Sequence, residues 1–306
     1  MDIKISVIVL TYKKFSELER NIASIKEQDF TDYEVILQDD CSENFNEQAI
    51  SNLMMGIQRF TICRNSKNVG TVQNYYNACK IARGKIVVPL SQDDYFADST
   101  ILRSIYTYFK ANDVNICTSY RVGAITRKRF PNKKDANLLI SNDSEILWKR
   151  LAVSNFISGA VLYCKRSYIL SHTLDSRFRL LEDYPMILNA VESGEKIGFI
   201  NKATICYGEE GVSSGKVKTS VALVEDFKKN MEINILPYIY RFKSNFGKCY
   251  IENIYERYKR RIDGTPIKIR NLGIILASKI MLMFVNADTM QRIWFDIIQK
   301  FERRYE

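Results

Sequence analysis

Two apolar runs in this chain end in paired aspartates, and that arrangement limits the folds open to it. Asp39-Asp40 closes off Tyr33-Glu34-Val35-Ile36-Leu37, and Asp93-Asp94 follows Lys85-Ile86-Val87-Val88-Pro89-Leu90. A β-branched run that stops in adjacent carboxylates describes a buried parallel strand delivering charge to the carboxyl edge of a sheet. Open α/β sheets bind ligands at that edge. Adjacent carboxylates repel and resist desolvation, so a cation or a donor-rich ligand is their natural partner. One such pair reads as a solvated turn; two in equivalent positions read as function.

The surrounding pattern agrees. Ile5–Leu10 reads as a buried strand, and Phe15–Glu27 as a helix with Leu18, Ile22 and Ile25 on one face. Tyr33–Leu37, Phe60–Cys63, Lys85–Leu90 and Val114–Thr118 read as further strands. Helices are expected over Glu47–Met55, from Thr71 to the Arg83-Gly84 stop, and after Asp98 as N-cap. This alternation predicts an α/β fold with a mostly parallel sheet. Arg121–Asn142 is basic, without a period, and reads as a mobile loop. Phe156–Tyr163 is a strand candidate whose Ser158-Gly159-Ala160 permits close backbone approach. Lys165–Ser171 predicts a short helix. Glu182-Asp183 opens a helix over Tyr184–Ser193, with Pro185 tolerated in its first turn. Lys196–Ile200 and Ala203–Tyr207 read as two short strands. Beyond Gly215 the pattern is helical: Ser220–Ile235, Lys248–Ile262 and Leu272–Arg304. The expected division is a domain over 1–215 and a helical appendage over 216–306.

The formal net charge is +10, and residues 216–306 hold 18 Lys and Arg against 10 Asp and Glu, so +8 lies in that segment. Such asymmetry points to an anionic partner surface, nucleic acid or lipid headgroups. Nucleic acid is not the expected partner, because basic and aromatic residues are not interleaved and no known module is present. The apolar stretch Gly273–Val285 is too short to span a bilayer and suits a membrane interface, with packing on the sheet as the other reading. Seven scattered cysteines without a C-x-x-C, and an N-terminus lacking signal-peptide features, fit a reduced cytoplasmic setting. With His172 the single histidine, a multi-histidine metal site is excluded and acid–base work falls to carboxylates. Thr11-Tyr12-Lys13-Lys14 after the first strand carries no G-x-G-x-x-G, and no G-x-x-x-x-G-K-[ST] loop occurs, which argues against a dinucleotide dehydrogenase or a P-loop NTPase.

Five segments together resemble the family 2 inverting glycosyltransferases of GT-A fold. Ser6–Tyr12 is similar to their opening strand, Asp39-Asp40-Cys41-Ser42 to their second-strand motif, and Asn68-Val69-Gly70 to their Asn-x-Gly turn. Ser91-Gln92-Asp93-Asp94 resembles their D-x-D region, and Glu182-Asp183 their acceptor-side acids. The resemblance covers residues 4–215 and implies transfer from a nucleotide-diphosphate sugar, UDP-linked by preference. The acceptor it implies is a saccharide, lipid-linked in view of the basic tail, in surface polysaccharide biosynthesis at the inner face of the cell membrane. Thr11, Tyr12, Asp39, Asp40, Asn68 and Gly70 would bind the nucleotide, with Asp40 accepting from the base imide. Asp93 and Asp94 would hold Mg²⁺ or Mn²⁺ against the diphosphate. Asp183 would be the general base, and Glu182 would position it or the acceptor. Two departures stand out: Ser91 replaces the first D-x-D aspartate, and Glu210 occupies the place where relatives carry a histidine and is a further candidate metal ligand. They motivate the alternative of a catalytically degenerate GT-A scaffold for a polysaccharide assembly complex.

Overall fold

The computed structural model describes residues 2–172, 174–208, 220–264, 266 and 272–304. The chain divides into two compact units, one of residues 1–142 with 157–218, the other of residues 143–156 with 219–306.

The first unit is built on one curled, mostly parallel sheet. β1 (Ile5–Thr11) lies between β2 (Tyr33–Asp39) and β4 (Ile86–Ser91), parallel to both, and β3 (Phe60–Arg64) extends the sheet beyond β2. The full strand order is β3-β2-β1-β4-β8-β6-β9-β5, where β5 is Tyr95–Phe96, β6 Ile116–Gly123, β8 Tyr163–Lys165 and β9 Ile197–Tyr207. Strand β7 (Arg129–Phe130) pairs on β6 outside that path. β1 is buried on both faces, as a central parallel strand must be. Helices α1 (Leu18–Lys26), α2 (Glu47–Met54) and α4 (Ile101–Ala111) lay Leu18, Ile22, Ile50, Leu102 and Ile105 on Val7, Val9 and Leu37. Helix α3 (Thr71–Ile81) packs against β1 and β2. At the amino edge, Glu34 accepts hydrogen bonds from Ser6 Oγ at 2.7 Å and from Arg83 N at 2.6 Å. The GT-A type α/β architecture expected from the sequence is the one observed.

Several local expectations are corrected. Arg121–Asn142 is not a loop: β6 runs on to Gly123, β7 returns against it, and α5 (Lys133–Ser141) follows. Arg121 explains how a basic segment enters a sheet, since its guanidinium lies 3.8 Å from the Tyr207 ring centre and 4.7 Å from that of Phe130. Asn132 starts α5 by accepting from Asp135 N at 3.0 Å. Phe156–Tyr163 is not a strand; a 3₁₀ turn spans Gly159–Val161 and pairing begins only at β8. Ile197–Tyr207 is one strand, β9, with a register irregularity opposite Ser119–Arg121 where two strands were expected. Thr100 rather than Asp98 precedes α4, and Asp98 instead holds Thr100 by accepting from its N–H at 2.9 Å.

The second unit is helical. It contains α6 (Ser144–Val153), α9 (Val221–Asn230), a π turn over Met231–Ile235, a 3₁₀ turn over Leu236–Arg241, α10 (Asn245–Asp263), α11 (Leu272–Leu282) and α12 (Ala287–Glu302). Leu272–Arg304 is therefore two helices, because Asn286 caps a new one through Thr289 N at 2.9 Å. The other two helices, α7 (Arg166–Ser171) and α8 (Asp183–Glu192), belong to the first unit. Among the described residues no helix is long and apolar enough to cross a membrane.

Candidate active site

The carboxyl ends of β1, β2 and β4 converge, and side chains bind them into one edge. Thr11 ends β1 and donates to Asp39 Oδ1 at 3.2 Å. Asp39 ends β2, fully buried, and accepts from Ser42 N at 2.7 Å and Ser42 Oγ at 2.6 Å. It thereby closes the tight turn in which Cys41 takes a φ of 64°. Tyr12 is exposed, and its backbone N–H donates to Gln92 Oε1 at 3.0 Å, joining β1 to the end of β4.

Asp40 organises a second loop. Its Oδ1 accepts from Val69 N at 2.8 Å and Asn65 Nδ2 at 2.9 Å, and its Oδ2 from Gly70 N at 2.9 Å. A carboxylate offers about four acceptor positions, so one remains on Oδ2. Gly70 has a φ of 86°, and a Cβ there would stand 2.6 Å from Arg179 O; both features demand glycine. Arg179 also donates to Asn68 Oδ1 at 2.7 Å and accepts Val72 N at 3.2 Å. Asn65 and Arg179 thus join the candidate site without any signal in the sequence. Asn65 had no motif to mark it, and Arg179 lies more than a hundred residues from the loop it supports.

At the end of β4 the two aspartates differ in exposure. Asp93 is half-buried and Asp94 only 1% exposed. Asp94 Oδ1 accepts from Gly208 N at 2.8 Å, whereas its Oδ2 is buried with no hydrogen-bond partner. Burial, and next the adjacent Asp93 carboxylate, push the Asp94 carboxyl up to about 8, offset in part by the Gly208 N–H, Arg121 and Arg20. Asp93 is raised as well, chiefly by burial. A cation beside the pair would reverse this balance. An orphaned buried carboxylate oxygen beside a second carboxylate fits a hard divalent ion, with phosphate and water completing its shell. Among the described residues no group of three or more His, Cys, Asp or Glu side chains could hold a metal. Glu210 lies outside the described residues. A cavity of about 200 Å³ adjoins Asp93, lined by Lys14, Glu17, Arg20, Gln92 and Gly208.

The acidic pair of α8 sits on the 3₁₀ turn. A Cβ at Gly159 would lie 3.1 Å from both Asp183 Oδ2 and Glu182 Oε1, so glycine lets the backbone meet both carboxylates. Glu182 precedes α8 without a side-chain capping bond, and Asp183 Oδ1 accepts from Tyr184 N at 2.6 Å. Capping therefore does not account for Glu182. β8 pairs antiparallel with β4 at Ile86↔Lys165 and Val87↔Cys164, so each step back toward Gly159 is a step toward the Ser91–Asp94 end of β4. The turn packs on β4. His172, by contrast, stacks on Tyr168 with ring centres 4.2 Å apart, at the end of α7.

A mostly parallel α/β sheet with paired carboxylates at the carboxyl ends of its strands, and a further acid pair on a turn packed against β4, is an architecture of GT-A type. The sequence profile of Glycosyl transferase family 2 matches residues 6–169, and the chain belongs to that family. It is a glycosyltransferase. Cholesterol galactosyltransferase of Borreliella burgdorferi is 23% identical over 271 residues, spanning 83% of this chain and 72% of its own. The GalNAc(5)-diNAcBac-PP-undecaprenol beta-1,3-glucosyltransferase of Campylobacter jejuni is 28% identical over 179 residues, which span 57% of this chain and only 56% of that protein. Among solved structures, a TarS fragment of S. aureus in complex with UDP-GlcNAc superposes with a TM-score of 0.61 at 18% identity, over 88% of this chain and 77% of that one. The mannosyltransferase PcManGT of Pyrobaculum calidifontis, in complex with GDP-Man and Mn²⁺, gives 0.59 at 16% identity, over 97% and 86%.

Proposed function

We propose that this chain transfers a sugar from a nucleotide-diphosphate donor, with inversion, to a saccharide acceptor carried on a lipid. The observation that carries the reading is the meeting of Glu182 and Asp183 on Gly159, in a turn that leads to the Asp93-Asp94 end of β4. In this reading the acid pair on the glycine turn provides the base, and the acid pair at the end of β4 provides the leaving-group site.

In this reading the acceptor oxygen attacks the anomeric carbon as the bond from that carbon to the diphosphate breaks. The acceptor proton passes to Asp183, and the bonding electrons leave with the diphosphate. Glu182 positions the acceptor hydroxyl. Thr11, Tyr12 and the Asp40–Asn68–Gly70 loop take the nucleotide, with the remaining Oδ2 position of Asp40 available to a base imide. Asp93 and Asp94 would hold Mg²⁺ or Mn²⁺, which when bound neutralises charge on the diphosphate. UDP is the donor nucleotide we favour, because a base imide N–H matches a carboxylate acceptor. The names of the two relatives specify cholesterol and an undecaprenol-linked glycan. By analogy we place the acceptor on a membrane lipid, the enzyme peripherally at the inner face of the cell membrane, and the reaction in surface polysaccharide assembly.

The test is a panel of nucleotide sugars with Mn²⁺, scored for transfer and for donor hydrolysis. Asp183→Asn is expected to lower kcat by about 10²–10⁴ while leaving the donor-induced thermal shift intact. Equal turnover by the variant would overturn the assignment of Asp183.

A further inference from the structure

Two neighbouring helices of the second unit treat their apolar residues in opposite ways. α12 is amphipathic and buries Met290, Trp294, Phe295 and Ile298. α11 is apolar nearly all round, yet buries only Ile274 and Ser278, the latter accepting a hydrogen bond from Trp294 Nε1 at 3.0 Å. Leu272, Leu276 and Ile280, spaced four apart on one face, are 48%, 61% and 49% exposed. The turn that follows carries Met283 and Phe284 at 78% and 80% exposed. A helix that is hydrophobic all round ordinarily lies in a core or in lipid. A contiguous apolar stripe of this kind on a water-soluble surface marks an interface.

The occupant follows from length and charge. Eleven residues extend about 16 Å, roughly half of a bilayer's apolar core, so α11 cannot span one. Lys279 is exposed beside the stripe, one position before Ile280, where its stem can lie along lipid while the ammonium reaches headgroups. Residues 216–306 carry 18 basic against 10 acidic side chains, a net +8 that favours an anionic surface. We propose that the stripe Leu272-Leu276-Ile280, with Met283 and Phe284 at its tip, inserts into the interface of an anionic bilayer and seats the second unit there. This deepens the proposed membrane location by naming the element that makes the contact, and it does not depend on the identity of the donor.

The experiment is co-sedimentation of the full chain with phosphatidylcholine vesicles, with and without phosphatidylglycerol, compared for wild type and Met283→Ser/Phe284→Ser. Wild type is expected to bind the phosphatidylglycerol vesicles in a salt-sensitive way, and the double variant at least about tenfold more weakly. Phe284→Trp supplies a readout that needs no loss of function: its emission should shift to the blue and resist aqueous quenchers when those vesicles are added. Absence of wild-type binding, equal binding by the double variant, or a tryptophan that stays quenchable would each overturn the proposal. So would a double variant that turns a dimer into a monomer while wild type ignores vesicles, since a second copy would then be the occupant. Vesicle binding without any nucleotide-induced thermal shift would sink the transferase reading of the donor site and leave this one standing.

Discussion

Gly70 and Gly159 hold the site together for different reasons. Gly70 needs a left-handed backbone and a close approach to Arg179, so Gly70→Ala faces both strain and a clash with main chain. We expect it to destabilise the first unit by about 1–3 kcal/mol, measurable by urea denaturation, and to abolish nucleotide-induced stabilisation. Gly159 has no such backbone strain; a Cβ there crowds two carboxylates that can yield by a few tenths of an ångström. Gly159→Ala should therefore melt near wild type yet transfer sugar more slowly. A large loss of stability would show that the turn, and not the acids, needs the glycine. Ser158-Gly159-Ala160 marks a place of close approach in the sequence, but within an expected strand rather than the 3₁₀ turn observed. For Asp40 the resemblance implies base recognition, and the structure adds the three acceptor positions that the carboxylate gives to Asn65, Val69 and Gly70. Adjacent residues announce their chemistry in sequence; partners brought from distant segments do not.

At the scale of elements, the parallel core was legible because β1, β2 and β4 are buried on both faces and so read as unbroken apolar runs. Helix α6 was not. Its buried face includes Lys149 and Arg150, which mask the apolar period. Arg150 is 1% exposed, donates to Ser154 Oγ at 2.8 Å and lies 4.8 Å from the Phe156 ring centre. Buried charge of this kind becomes visible only with its partners in place. Glu302 is the matching case at the end of α12. Its Oε1 accepts from Ser244 N at 2.8 Å and Ser244 Oγ at 2.6 Å, and its Oε2 from Lys243 N at 2.8 Å and Lys149 Nζ at 3.2 Å. Burial alone would raise its carboxyl, but these donors outweigh burial and leave it below the usual carboxylate range. A carboxyl depressed on folding stabilises at pH above its unfolded value, roughly 4.3, and that stability fades as pH falls through its lower folded value. Glu302→Ala should cost about 2–4 kcal/mol at neutral pH, and thermal melts at falling pH should show the difference from wild type shrinking below roughly pH 4. A pH-independent difference would mean lost packing instead.

For the whole molecule, the candidate site draws on five stretches, near residues 11–12, 39–42, 65–74, 92–94 and 159–183, so no local piece of the chain can form it alone. A ligand that needs all five binds only the folded first unit and must raise its melting temperature. At a hundredfold excess over Kd the gain is about 2.7 kcal/mol, several degrees for a unit of this size. In the proposed reading the Asp40–Gly70 loop takes the nucleotide and the acid pair after β4 takes the metal, and that separation dictates the pattern among variants. Asp93→Asn/Asp94→Asn removes both carboxylates and, with the Asp94 amide oxygen kept on Gly208 N, puts an amide nitrogen that cannot ligate a cation in place of the orphaned Oδ2. It should erase the Mn²⁺-dependent part of the shift given by a UDP-sugar and keep the part given by the nucleotide alone. Asp40→Asn acts on the nucleotide loop: Val69 N and Gly70 N donate to different oxygens of Asp40, and an amide NH2 in place of either cannot accept, so the loop loosens and both parts of the shift should fall. Differential scanning fluorimetry of the three proteins with UDP-sugar, Mn²⁺, both and neither resolves the pattern. A Mn²⁺-dependent shift that survives in Asp93→Asn/Asp94→Asn would move the metal away from β4 and take the leaving-group site with it.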